Sequence, residues 1–172
     1  MLLALLLFLP RFQSNMGGAV RSTLIFTMIV FVPLGFLIWR SYASGEWSTV
    51  DASDKADRPL LYKGAIAALL GGVAYFYFVE HSMPLARGSL VAAAMLLVAA
   101  ALNRWIKLSL HLTFACFCGI LLSRVQLGYG LPVLLLVLPL IWSRITLSRH
   151  AFSETVGGVV LGALGASAVM WL

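Results

Sequence analysis

Near the C-terminal end of the chain, a histidine and a glutamate are spaced so that they can act together. His150 and Glu154 are four residues apart, so both side chains would lie on one face of a helix that begins near His150. A carboxylate placed there accepts the proton of one ring nitrogen and leaves the other nitrogen to act as a nucleophile. Arg144 lies just upstream and offers a planar set of donors that suits phosphate oxygens. The stretch therefore predicts nucleophilic attack on a phosphate group.

A second polar stretch supplies an acid and further phosphate ligands. Lys107, Ser109 and His111 come together at the predicted start of an apolar helix. The N–H groups at a helix N-terminus favour an anion, and the Ser109 hydroxyl adds a donor. His111 would then protonate the oxygen that leaves the phosphorus atom.

A third polar stretch adds Lys55 and Arg58, and Pro59 suits the first turn of the helix that follows. These residue types supply the parts that phosphoryl transfer requires. One histidine is the nucleophile, which a carboxylate orients, the other histidine is the acid, and the basic side chains bind the phosphoryl oxygens. This division of work requires no metal and no cofactor. The acids of residues 51–57 are interpreted as an ordinary solvated loop rather than a metal cluster.

The composition places these residues in a lipid bilayer. Of the 172 residues, 62% are hydrophobic and 10% are charged, whereas a soluble domain carries roughly 25% charged residues. This excludes a water-soluble globular protein and a disordered one. Six apolar stretches have lengths that suit tilted or slightly short crossings. They are Thr23–Trp39, Leu60–Val79, Pro84–Leu102, Ser109–Ser123, Tyr129–Trp142 and Glu154–Leu172.

These stretches predict an all-α fold, a bundle of six transmembrane helices formed by residues 23–172. Residues 1–22 form a separate N-terminal segment. Its apolar start, Met1–Leu9, is too short to cross a membrane and ends at Pro10, so we expect a short interfacial helix there. The expected location is the cytoplasmic membrane of a bacterium.

Alternation of the six spans brings the three polar stretches to one membrane face. The connections after the first, third and fifth spans share that face with eight of the twelve bases, and ionisable groups at membrane depth are usually functional. The clustering predicts an active site at one water–lipid boundary. The net charge of +6 then indicates phosphate-bearing lipids rather than nucleic acid as partners. The count of bases favours the cytoplasmic side, but several bases are predicted phosphate ligands, so the side stays open.

The last polar stretch resembles a signature of the phosphatidic acid phosphatase type 2 superfamily. The third signature of that family reads Ser-Arg, five residues, His, three residues, Asp. The chain has Ser143 and Arg144, then His150, then Glu154, in the same spacing. Glutamate here replaces the usual aspartate and is longer by one methylene.

The other two polar stretches resemble the remaining signatures of the family. Residues 108–111, Leu-Ser-Leu-His, resemble the second signature, Pro-Ser-Gly-His, and keep its serine and histidine. Residues 57–59, Asp-Arg-Pro, resemble the end of the first signature, Lys, six residues, Arg-Pro. The lysine of that signature would fall at Asp51, so Lys55 or Lys107 would supply its charge.

The resemblance implies a metal-independent membrane lipid phosphatase that works through a phosphohistidine. His150 would be the nucleophile, Glu154 would orient it, and His111 would protonate the leaving group. The substrate would be a phosphomonoester or diphosphate of a phospholipid or a polyprenyl lipid. The residues that would bind the phosphoryl oxygens are Arg144, Arg58, Ser109, Lys107 and Lys55.

Other functions stay open. Leucines stand where the second signature has proline and glycine, which suits a catalytically degenerate member that binds or moves anionic lipids without hydrolysing them. A small transporter is less favoured, because no inverted repeat is apparent. The sequence leaves homo-oligomerisation open, and the family resemblance favours an outward-facing site.

Several conspicuous residues are interpreted as structural. Cys116 and Cys118 would be small buried side chains, and His81 an ordinary interfacial group. Small residues in the last span would let a neighbouring helix approach closely. These are Gly158, Gly162 and Gly165. Tryptophans that flank the spans would form an interfacial belt. These are Trp39, Trp47, Trp105, Trp142 and Trp171.

Overall fold

The described part of the chain is helical throughout, which confirms the predicted all-α class. The computed structural model describes residues 16–47, 49 and 54–172. In these residues one π-helical turn, Thr27–Phe31, accompanies eight α-helices, and there is no strand. The α-helices are α1 (Met16–Phe26), α2 (Val32–Ala43), α3 (Arg58–Phe78), α4 (Met83–Leu102), α5 (Leu110–Val125), α6 (Leu127–Leu135), α7 (Val137–Thr146) and α8 (Phe152–Trp171). The predicted interfacial helix over Met1–Leu9 and the acid Asp51 lie outside the described residues.

Within the described residues, five helical stretches are long and apolar enough to cross a membrane, which identifies an integral membrane protein. They are Val20–Ala43, Arg58–Phe78, Met83–Leu102, Leu127–Thr146 and Phe152–Trp171. The fourth predicted span corresponds to α5, an apolar helix of 16 residues. At 1.5 Å per residue such a helix is about 24 Å long, shorter than the roughly 30 Å of the hydrocarbon core.

The first span is longer than predicted and contains the π-helical turn. Helix continues through Arg40, where the sequence-based prediction ended the span, and stops at Ala43. Pro33 lies in the first turn of α2 and has no N–H for the carbonyl of Ile29, four residues before it. The wider turn is accommodated by a bond from the Val32 N–H to the Thr27 carbonyl.

The fifth predicted span, Tyr129–Trp142, lies within the candidate span Leu127–Thr146, which contains one irregular position. α6 ends at Leu135 and α7 begins at Val137, with Leu136 in a turn between them. Pro139 cannot donate to the carbonyl of Leu135, so the helical ladder is interrupted at this point. The apolar sequence around Leu136 is continuous, so hydropathy alone does not predict the irregular position.

Contacts between residues divide the chain into two compact units. The N-terminal unit is Leu24–Trp105, and in it α3 and α4 pack against each other as a hairpin. The ring of Phe26 stacks on Phe76 with centroids 6.0 Å apart. The turn between α3 and α4 contains His81 with a φ of 50°.

The C-terminal unit contains Ile106–Leu172 and the described residues up to Thr23. Its centre is a parallel pair of helices, α5 and α8. A Cβ built on Gly158 would lie 2.7 Å from the Ser109 carbonyl oxygen, and one built on Gly162 would collide with the Thr113 carbonyl oxygen. Each glycine is 49 residues after its partner, so the two helices run in the same direction. The predicted role of these glycines in close packing is confirmed.

The prediction for the two cysteines is confirmed, and one tryptophan departs from the predicted belt. Cys116 and Cys118 are buried and free. Trp47 is 4% exposed, so the prediction of an interfacial position is wrong for this tryptophan. It lies just beyond α2, where its backbone N–H donates to the Ser41 carbonyl at 3.1 Å. The other four tryptophans are 64–90% exposed, as a belt requires.

Candidate functional site

A tight turn at the end of α7 sets the position of His150. The carbonyl of Arg144 accepts the N–H groups of Arg149 at 3.0 Å and His150 at 3.2 Å. Ser148, which lies between Arg144 and Arg149, has a φ of 52°, and its N–H donates to the Ile145 carbonyl. This pattern is a Schellman motif, in which glycine is the usual residue at the position of Ser148. The backbone of Arg144 therefore holds the backbone of His150.

His150 and Glu154 form the predicted pair. Nδ1 of His150 lies 2.9 Å from Oε2 of Glu154, and the two side chains are 5% and 18% exposed. The prediction that both residues lie on one face of a helix is wrong, however, because α8 begins at Phe152 and His150 precedes it. Glu154 is the third residue of the helix, and the same Oε2 accepts the Ala151 N–H at 3.1 Å. The carboxylate reaches back over the helix N-terminus, as in half of a capping box, and meets the imidazole there.

The second polar stretch is joined to this pair by its main chain. The Lys107 N–H donates to Oε1 of Glu154 at 3.3 Å, and the Lys107 carbonyl oxygen lies 3.0 Å from Nδ1 of His150. The Ser109 N–H donates to the Glu154 carbonyl at 3.2 Å. His150 has two acceptors at Nδ1, Oε2 of Glu154 and the Lys107 carbonyl oxygen. A proton on Nδ1 is therefore stabilised, and Nε2 carries the lone pair.

Ser109 occupies the N-cap of α5. It is completely buried, and its Oγ has no hydrogen-bond partner within the described residues. An N-cap serine ordinarily uses its hydroxyl to accept an N–H of the first turn, and this bond is absent here. The Ser109 hydroxyl is thus a buried polar group at the helix N-terminus without a hydrogen-bond partner in the described part of the chain.

His111 lies in the first turn of α5 and is exposed. Because α5 and α8 are parallel and in register, His111 and His150 lie at the same end of the C-terminal unit. Lys107 touches the imidazole of His150, and four residues of extended chain reach at most about 14 Å. The backbone of His111 therefore lies within roughly 14 Å of the Lys107 carbonyl that contacts His150.

The remaining predicted ligands of the C-terminal unit also lie at this end. Arg144 is half-buried in the last turn of α7, and Lys107 is half-buried in the segment before α5. The sequence did not predict the part played by the Lys107 main chain, because every residue type has the same N–H and carbonyl. One signal was present: Gly157 and Gly158 follow Glu154 by one helical turn and make room for the second stretch. A Cβ on Gly157 would lie 2.6 Å from Cδ2 of Leu108.

Arg58 and Lys55 belong to the N-terminal unit. α3 begins at Arg58 with Pro59 in its first turn, as predicted, and Arg58 is 5% exposed. Nζ of Lys55 donates to the Arg104 carbonyl at 2.9 Å, and the Lys55 carbonyl accepts from Nδ2 of Asn103 at 3.3 Å. Lys55 therefore ties the segment before α3 to the end of α4.

No grouping of three or more His, Cys, Asp or Glu side chains suited to a metal ion occurs in the described ranges, 16–47, 49 and 54–172. Comparison of the chain with protein-family models, with curated proteins and with solved structures finds no match. The resemblance to the lipid phosphatase signatures therefore rests on the motif residues themselves.

Proposed function

We propose that the chain is a membrane lipid phosphatase of the phosphatidic acid phosphatase type 2 kind. It would hydrolyse a phosphomonoester or diphosphate of a phospholipid or polyprenyl lipid through a phosphohistidine. The observation that carries the proposal is the geometry at His150. Its Nδ1 is held by Glu154 at 2.9 Å and by the Lys107 carbonyl at 3.0 Å, and a segment that bears a second histidine is attached to the same carboxylate.

The proposed reaction has two steps. In the first, Nε2 of His150 attacks phosphorus, and the bond to the lipid oxygen breaks as that oxygen takes a proton from His111. In the second, water attacks the phosphohistidine, His111 takes a proton from the water, and the bond between nitrogen and phosphorus breaks. Inorganic phosphate and the starting enzyme result. Glu154 stabilises the positive charge on the imidazole in both steps.

The phosphoryl oxygens require donors, and the C-terminal unit offers several. The Ser109 hydroxyl is buried without a partner at the N-terminus of α5, where the first-turn N–H groups also attract an anion. Arg144 supplies a bidentate donor set, and Lys107 a point charge. Arg58 and Lys55 stay predictions from the first signature.

A lipid substrate is supported by the side chains on either side of His150. Leu147 is 63% exposed and Phe152 is 68% exposed, although both flank a connection between two candidate membrane spans. Exposed apolar side chains at such a position are typical of the headgroup layer, where a lipid phosphate would meet the imidazole while its chain stays in hydrocarbon. We further propose that α5 serves as a short sixth span and that the protein lies in a bacterial cytoplasmic membrane.

The test is phosphate release from a panel of lipids in vesicles that contain the purified protein. The panel comprises phosphatidate, phosphatidylglycerophosphate and a polyprenyl diphosphate. We expect release from at least one lipid in the wild type and none in His150→Ala. The matched control is His81→Asn, which removes an imidazole from the α3–α4 turn and keeps a residue that tolerates a φ of 50°. Equal release by wild type and His150→Ala would refute the assignment.

A second function is favoured by Leu108. This residue is 3% exposed and packs against Gly157, so an apolar contact occupies the place of the proline of the second signature. A degenerate member would bind or move anionic lipids without turnover. Acid-labile phosphate on His150 after rapid quenching supports the phosphatase, whereas vesicle binding with no turnover of any lipid in the panel supports the binding protein.

A further inference from the structure

We infer that Glu154 is a bridging residue that positions two parts of the site at once. One carboxylate oxygen orients His150, and the other holds the main chain of Lys107, which leads to the acid His111. The inference rests on the proposed function for its kinetic consequences. Its structural content, the attachment of the Lys107 segment, is independent of that function.

The two oxygens of Glu154 have different partners. Oε2 lies 2.9 Å from Nδ1 of His150 and accepts the Ala151 N–H at 3.1 Å. Oε1 accepts the Lys107 N–H at 3.3 Å. All three contacts require an acceptor, so the carboxylate is used as an acceptor on both sides.

The orientation of His150 does not depend on Glu154 alone. The Lys107 carbonyl oxygen is a second acceptor at Nδ1, at 3.0 Å. A proton on Nδ1 therefore has two acceptors, and it keeps one of them as long as the substituted side chain still places an oxygen at Nδ1. The contact that only the Glu154 side chain makes is the bond to the Lys107 N–H.

Neither close relative of glutamate preserves this bridge. Aspartate is shorter by one carbon–carbon bond, roughly 1.5 Å, and cannot reach His150, Ala151 and Lys107 together. Glutamine has one acceptor oxygen, and that oxygen satisfies two donors if it faces His150 and Ala151. Its NH2 group then points at the Lys107 N–H, a contact between two donors. Both substitutions remove the bond to the Lys107 N–H, and the Ser109 N–H then holds the segment at the main-chain carbonyl of residue 154.

The direction of release is limited by close packing. Leu108 and Ser109 already lie against Gly157 and Gly158, where an added Cβ would come within 2.6 Å and 2.7 Å of them. The segment cannot move closer to α8, so it moves away. His111 follows Ser109 by two residues, so the inference predicts that loss of the Lys107 bond shifts the first turn of α5 and the acid that it bears.

This displacement has a specific kinetic signature. An alkoxide leaving from a lipid phosphate needs protonation, whereas the phenolate of an activated aryl phosphate does not. A bridge variant should therefore slow the transfer of the phosphoryl group from the lipid to His150 much more than its transfer from the aryl ester, as a variant of His111 should. If Glu154 acted on His150 alone, both substrates would suffer equally, because both need the nucleophile.

The experiment compares Glu154→Gln and Glu154→Asp with wild type in vesicles, using the best lipid of the panel and p-nitrophenyl phosphate. The rate measured is that of phosphoryl transfer to His150, taken from the burst phase. Both substrates should lose the stabilisation of the imidazole charge by Glu154, and we expect the lipid to lose roughly 100-fold more than the aryl ester, the usual size of a general-acid contribution. Glu46→Gln, an exposed glutamate outside the site, should change neither rate. Equal losses on the two substrates, or no loss on either, would overturn the inference.

Amide hydrogen exchange tests the bridge without any activity. In both Glu154 variants the Lys107 amide should exchange at least about tenfold faster than in wild type, since an open amide loses the protection of its hydrogen bond. Amides in the centre of α5 should be unchanged, which shows that the variants are folded. Unchanged exchange at Lys107 would overturn the inference. If the wild type turns over no substrate, the proposed function fails while this measurement still decides whether the bridge exists.

Discussion

Gly158 lies directly against the carbonyl oxygen of Ser109, so that α8 and the N-cap of α5 touch through backbone atoms. A Cβ at Gly158 would be 2.7 Å from that oxygen and 3.2 Å from Oγ1 of Thr113. Gly158→Ala should force the two helix starts apart and lower the free energy of unfolding by about 1–3 kcal/mol, the range for overpacked interiors. Thermal unfolding in detergent measures this loss.

Gly35→Ala is the matched control for that substitution. Gly35 lies in α2, and a Cβ there would have no neighbour within 4 Å. Alanine is the better helix former by up to about 1 kcal/mol, so the control should be neutral or stabilising. Equal Tm values for the two variants would show that the contact between Gly158 and Ser109 is not tight.

Ser148 offers a stabilising change beside the site. Its φ of 52° lies in the left-handed region, which costs a residue with a Cβ roughly 1 kcal/mol. Ser148→Gly should therefore raise the free energy of unfolding by up to about 1 kcal/mol and leave phosphate release unchanged. Ser153→Gly, which places glycine in the first turn of α8, should have the opposite sign. Thermal unfolding of both variants checks the prediction, and a lower Tm for Ser148→Gly would contradict it.

The pairing of His150 with Glu154 could be predicted from the spacing of the two residues, but its geometry could not. The four-residue interval suggested one helical face, yet α8 begins after His150. A glutamate at the third position of a helix folds back to cap the N-terminus, and this local rule produces the same contact by another path.

The contacts that complete the site depend on tertiary structure. The Lys107 peptide group binds both His150 and Glu154, and main-chain groups leave no trace in residue types. Lys55 was predicted from its charge, and its ammonium group donates to the Arg104 carbonyl 49 residues away, a partner that only the folded chain brings near. In the same way, the helical break at Leu136 is explained by Pro139, although the apolar run around it predicts a continuous span.

Removal of the proposed acid should expose the covalent intermediate. In His111→Asn, an activated aryl phosphate still transfers its phosphoryl group to His150, because a phenolate leaves without a proton. Water then attacks slowly, since the base that would accept its proton is missing. We expect a burst of phenol close to one equivalent per active site, followed by a slow steady state, with acid-labile phosphate on His150. A linear time course without labelled protein would contradict the assigned roles.

Arg144 tests the proposed phosphate clamp. Its carbonyl oxygen holds the N–H groups of Arg149 and His150, and this main-chain contact survives replacement of the side chain. Arg144→Ala should therefore keep the turn and lose only the guanidinium, which lowers kcat/KM by about 10- to 100-fold if a charge-assisted hydrogen bond to phosphate contributes roughly 1.5–3 kcal/mol. Arg144→Lys should recover part of the loss, because lysine restores the charge without the bidentate geometry.

Arg124→Ala, at the far end of α5 from His111, is the matched control and should leave kcat/KM unchanged. Equal values of kcat/KM for Arg144→Ala and Arg124→Ala would remove Arg144 from the site.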